Sequence, residues 1–135
     1  MSHVSLVALI VDDYDDAISF YCDVLGFDLI EDSPSTTNDG CPKRWVVVRP
    51  PGAETGMLLA KADGPTQQAL VGQQHGGRVG FFLRVDDFAA AFAALADSEA
   101  TIHGAPRDEP YGQVVVFEDL YGNKWDLLGP RPAAS

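Results

Sequence analysis

The sequence predicts an α+β fold of two tandem βαβββ modules, forming a cupped, barrel-like mixed sheet with helices outside. Three observations predict it. First, residues 9–18 (LIVDDYDDAI) and 83–92 (LRVDDFAAAF) share an apolar strand end, Val-Asp-Asp, an aromatic residue and a helical pattern, at a constant offset of 74. Second, MLLAKA from Met57 and DLLGPR from Asp126 echo each other in the same order, each after a glycine-bearing turn, at an offset of 69. An ordered pair of echoes points to internal duplication. Third, 135 residues that are 46% hydrophobic suffice for one compact domain with a true core. The expected organisation is a single domain over 1–135, with module one at 4–61, a polar linker at 62–77 and module two at 78–128.

Each element has a local reason. Residues 4–11 (VSLVALIV) form an apolar run of strand length. Asp13 is placed to cap a helix whose Tyr14, Ala17, Ile18, Tyr21 and Leu25 fall on one face, and Gly26 is its stop. Strands are expected at Phe27–Glu31, Arg44–Val48 and Met57–Ala60, with 32–43 (DSPSTTNDGCPK) a turn-rich loop. The second half repeats the order: a strand at Val79–Val85, then a helix capped by Asp87 with Phe88, Ala91, Phe92 and Leu95 inward. Strands near Thr101–His103, Val114–Phe117 and Lys124–Leu128 follow. The alternation of strands sets Leu6, Ala8 and Ile10 on one face of the first strand and Gly80, Phe82 and Arg84 on its counterpart. Val7, Leu9, Val11, Phe81, Leu83, Val85, Trp125 and Leu127 form the apolar set expected beneath the helices.

Charge and composition exclude some functions. A net charge of −11 and a pI near 4.3 repel phosphate backbones, so nucleic acid is not an expected partner; the charge reads as a solvated surface, or else as attraction for a cationic small ligand. No apolar run approaches the ~20 residues a membrane helix needs. The amino terminus shows acids rather than a cationic stretch beside its apolar run, so a cytoplasmic protein without a secretory signal is expected. Cys22 and Cys41 have no metal-ligand spacing and are expected as reduced thiols. No Ser-His-Asp or Cys-His arrangement is visible. Four side chains stand out as candidate ligand contacts: Arg44 beside Trp45, Phe82 on the inner face, and Glu109 and Tyr111, which share a face if extended. Trp45 and Trp125 are expected in the core.

The string VDDYDDAISFYCDVLGF, with the closing segment VFEDLYGNKWDLL, resembles the vicinal-oxygen-chelate superfamily. That superfamily includes glyoxalases, extradiol dioxygenases and bleomycin-resistance proteins. The resemblance spans most of 4–128 and implies a cavity within the cupped sheet and, often, a homodimer. It also implies four metal-ligand positions, in the first and last strands of each module. Here these read Leu6, Met57, Gly80 and Asp126. Leucine has no donor, glycine has no side chain, and a thioether suits hard cations poorly. The expectation is therefore a protein with no metal and no cofactor that holds a small molecule, cationic or aromatic, in its cavity. Its ligand contacts are expected at Leu6, Arg44, Met57, Gly80, Phe82, Glu109, Tyr111 and Asp126. The alternative is a lyase, isomerase or dioxygenase using an unrecognised metal site or a carboxylate base.

Overall fold

Alternating and continuous apolar stretches separated by glycine turns become eight strands, β1 to β8, and three short helices, in a computed structural model that describes residues 1–131. The chain divides into two units, residues 1–74 and 75–135.

In unit one, β1 (Leu6–Val11) leads to α1 (Tyr14–Ile18), which continues into a π-helical segment at Ser19–Val24. Asp13 caps α1: its Oδ2 accepts a 2.8 Å hydrogen bond from the Asp16 N–H. The single helix expected over this stretch is thus divided. The wider turn directs both Phe20 and Tyr21 into the core, their rings edge to face at 5.3 Å. Gly26, at φ +74°, ends the helix in the left-handed region open to glycine. Three strands complete the module: β2 (Asp28–Thr36), β3 (Pro42–Arg49) and β4 (Gly56–Lys61). The sheet order is β1-β4-β3-β2, with β1 parallel to β4 and the other pairs antiparallel. The expected loop over 32–43 is mostly strand, because β2 and β3 pair as far as Thr36 and Pro42. Ladder hydrogen bonds override the poor strand propensity of Ser, Thr and Pro there. Within 62–77 lies a short helix, α2 (Gly64–Gln68), with Pro at its first turn.

Unit two repeats the plan. β5 (Val79–Arg84) precedes α3 (Phe88–Ala96), which Asp87 caps through a 3.1 Å bond from the Ala90 N–H. β6 (Thr101–Glu109), β7 (Gly112–Glu118) and β8 (Lys124–Gly129) follow, in the order β5-β8-β7-β6. The turn into β8 explains its sequence signature. Buried Asp119 accepts 2.9 Å bonds from the backbone N–H groups of Tyr121 and Asn123, and from the Asn123 side chain. Gly122, at φ +96°, completes the turn. As expected, the fold is α+β with one mixed sheet in each module; each sheet is a separate four-stranded ladder, not closed into a barrel. Among the described residues no helix is long and apolar enough to cross a membrane.

One face of each sheet is buried. In unit one it carries Leu9, Val11, Val46, Val48, Met57 and Leu59, alongside the buried Ala17, Phe20 and Tyr21 of the helical segment. In unit two it carries Leu83, Phe117, Trp125 and Leu127, with Phe88 and Leu95 from α3. Trp125 is core as expected, stacked between Phe81 at 4.6 Å and Phe117 at 5.9 Å.

The outer edge of β1 has its own partner. The Gln74 side-chain amide accepts from the Ile10 N–H at 2.9 Å and donates to the Ala8 carbonyl at 2.8 Å, as a neighbouring strand would. Replacing Gln74 with Ala is expected to cost about 1–2 kcal/mol, the worth of two neutral hydrogen bonds. Urea unfolding measures that loss. Hydrogen exchange should quicken at the Ile10 amide, and unchanged exchange there would refute the edge assignment.

Candidate functional site

Strand register decides which side chains share a face. Ala8 pairs with Leu58, and Phe82, 74 residues beyond Ala8, pairs with Asp126. Asp126 therefore corresponds to Leu58, not to Met57. Matching the two Leu-Leu pairs in sequence gave the echo an offset one residue too long. A one-residue slip in a strand reverses the face. Met57 pairs with Val7 and Val48 and lies on the buried face, 8% exposed. It does not share a face with Leu6, whose partner is Gly56.

The other expected contacts fall as follows. Phe82 and Asp126 are direct neighbours across β5 and β8, on the face away from α3, and Phe82 is 64% exposed. Val116 and His103 continue that row across β7 and β6. His103 is within hydrogen-bond distance of Glu118. Burial raises the Asp126 carboxyl above its ordinary value, and the charge of Arg107 partly opposes this. Gly80 is not an open position. The His75 imidazole stands beside it, edge-on to Phe81 at 4.8 Å, and a Cβ on Gly80 would collide with its Cγ and Nδ1. Glu109 ends β6, and Tyr111 occupies the hairpin turn, 55% exposed. The extended geometry that would have put these two on one face is thus replaced by a tight turn. Glu109 instead lies 3.9 Å from Arg107.

Arg44 is committed to structure. Its guanidinium bonds Asp32 at 2.7 Å and Asp15 at 2.9 Å, and lies 5.0 Å over the Tyr14 ring. The two carboxylates raise the Arg44 pKa, and that of Asp32 is lowered in return by the hydrogen bond. Arg44 thus ties β2 and β3 to the start of α1.

Its neighbour Trp45, expected in the core, is 37% exposed. Trp45 lies two residues from Val47, which pairs with Leu58, so its indole shares the face of Leu58 and Ala60. These three line a cleft of about 710 Å³ in unit one. The start of α1, the hairpin turn between β2 and β3, and residues 61–63 with Gln67 line the rest. Strand parity alone held the signal that Trp45 faces outward from the helix-covered side.

The residues at the four metal positions do not fit a divalent cation. Leu6 and Leu58 have no donor, Gly80 is occluded by His75, and one carboxylate remains at Asp126. Among the described residues no three His, Cys, Asp or Glu side chains group to hold an ion.

The model of the glyoxalase/bleomycin resistance protein/dioxygenase superfamily matches residues 2–127. The chain belongs to that superfamily. An uncharacterized protein of Shewanella frigidimarina (strain NCIMB 400) is 49% identical over 123 residues, covering 90% of this chain and 89% of its own. Among solved structures, TnmS3, an antibiotic binding protein from Streptomyces sp. CB03234, superposes with a TM-score of 0.73 at 34% identity. The match covers 96% of this chain and 97% of TnmS3. A glyoxalase/bleomycin resistance protein from the same Streptomyces superposes with a TM-score of 0.70 at 32% identity, covering 93% and 99%.

Two outcomes test the register and the raised Asp126 carboxyl. Met57→Lys is expected to cost about 3 kcal/mol or more by placing a charge in the core, against about 1 kcal/mol for Leu58→Lys, both read by urea unfolding. Equal costs would mean the register is wrong. A carboxyl raised by burial contributes stability below the ordinary carboxylate range that is lost as pH rises through its folded pKa. Asp126→Asn should therefore stabilise the protein near neutral pH, and the gain should shrink in acid. A gain in Tm independent of pH would count against a raised Asp126.

Proposed function

We propose that this superfamily member is a metal-free binding protein that holds an aromatic small molecule against Trp45 in the cleft of unit one. The observation that carries the reading is the half-exposed indole on an otherwise apolar wall of Leu58 and Ala60. Exposed aromatic surface in a concave site gives a flat ligand area to cover, and a cleft of about 710 Å³ falls within the ~300–1,000 Å³ of small-molecule sites. The misfit of the four metal positions supports a role that needs no ion. The antibiotic binding of TnmS3, at 34% identity across nearly the whole chain, supports sequestration of a similar class of compound.

A second reading, a lyase or isomerase, has one observation in its favour. Asp126, its carboxyl raised by burial, has the character of a general base. The two readings separate experimentally. A panel of aromatic antibiotics, screened by thermal shift, should raise the Tm of the purified protein without consumption of the ligand. Trp45→Ala should weaken that binding about tenfold or more while leaving the fold intact, since the indole lies outside the core. Stoichiometric Fe, Mn, Ni or Zn retained through purification, or turnover abolished by Asp126→Asn, would favour the enzyme and reject the proposal.

A further inference from the structure

The lining of the unit-one cleft carries six charged side chains: Asp13, Asp39, Lys43, Arg44, Lys61 and Asp63. Three are already engaged. Asp13 caps α1. Asp39 accepts the Thr37 hydroxyl, which lowers its pKa. Arg44 is shared between Asp15 and Asp32. Lys43, Lys61 and Asp63 remain, and among the described residues neither lysine forms an ion pair.

Lys43 is the better placed of the two. It lies two residues before Trp45 on β3, so both side chains leave the same face, about 7 Å apart along the strand. A ring stacked on the indole thus has an ammonium group within reach of a substituent.

We propose that the cleft selects aromatic ligands bearing an anionic group, a carboxylate or phenolate, with the ring on Trp45 and the anion at Lys43. This rests on the cleft being the ligand site and names the ligand's chemistry. The net charge of −11 favours cations at a distance, but charges beyond about 8 Å are largely screened at physiological ionic strength. At contact the nearest charge decides: Lys43 leaves the same face as Trp45 and forms no ion pair among the described residues, whereas Lys61 follows Ala60 on β4 and leaves the opposite face.

The test uses three matched probes, naphthoate, naphthylmethanol and naphthylmethylammonium, titrated calorimetrically into the full chain at physiological salt. Naphthoate should bind about fivefold or more tighter than the ammonium probe, the scale of a solvent-exposed ion pair. Lys43→Met should erase that preference and leave naphthylmethanol unchanged, which also shows that the variant is folded. Trp45→Ala should weaken all three. Equal binding of the three, or tightest binding of the cation, overturns the charge inference and leaves the Trp45 cleft standing. Failure of all three to bind at millimolar concentration overturns the cleft reading, and the charge inference with it.

Discussion

The parallel pairing of the first strand of each module with its last is the constraint on which the rest depends. A parallel pair cannot be joined by a tight turn, so the intervening chain must cross over. The crossover here carries a capped helix and a two-strand hairpin. The pairing also sets register. Once Leu9 lies beside Leu59, and Leu83 beside Leu127, every other side chain on those strands is assigned to the buried face or the opposite one. Burial enforces that assignment, since a slip of one residue would bring Leu58 inward and turn Met57 outward.

The faces turned away from the helices differ in chemistry between the units. In unit one this face is apolar along β1 and β4, with Leu6, Ala8, Leu58 and Ala60, while β3 adds Trp45 and Lys43. In unit two it carries Phe82, Arg84, His103, Glu118, Lys124 and Asp126. The two modules thus differ along their parallel strand pairs, apolar in β1 and β4 and partly charged in β5 and β8, while Asp13 and Asp87 cap their helices in the same way. At the positions where the resemblance implies metal ligands, Leu6 and Leu58 carry no donor atom, yet the strands that present them pair in regular register. Strand pairing is backbone chemistry and survives changes of side chain.

Arg44 and Trp45 show how neighbouring residues on a strand acquire opposite roles. Both are large, and either is a plausible ligand contact from sequence. Alternation sends them to opposite faces. Arg44 meets Asp15, Asp32 and Tyr14 and becomes a staple between sheet and helix. Trp45 has no such neighbours and remains half exposed beside a cleft.

By itself, the sequence determined the superfamily, the duplication, the order of the eight strands, both helix caps and the absence of donors at Leu6 and Gly80. These are local or repeated features: an apolar run, a capping Asp, a missing side-chain atom. Only the tertiary structure decided that Asp126 corresponds to Leu58, that His75 fills the space beside Gly80, that the 32–43 segment is paired strand, and that Trp45 faces a cleft. Each depends on the partner chosen by a strand or side chain far along the chain. A pattern of polar and apolar residues does not specify that partner, because strand pairings one residue apart use the same backbone hydrogen bonds and differ only in what packing they permit.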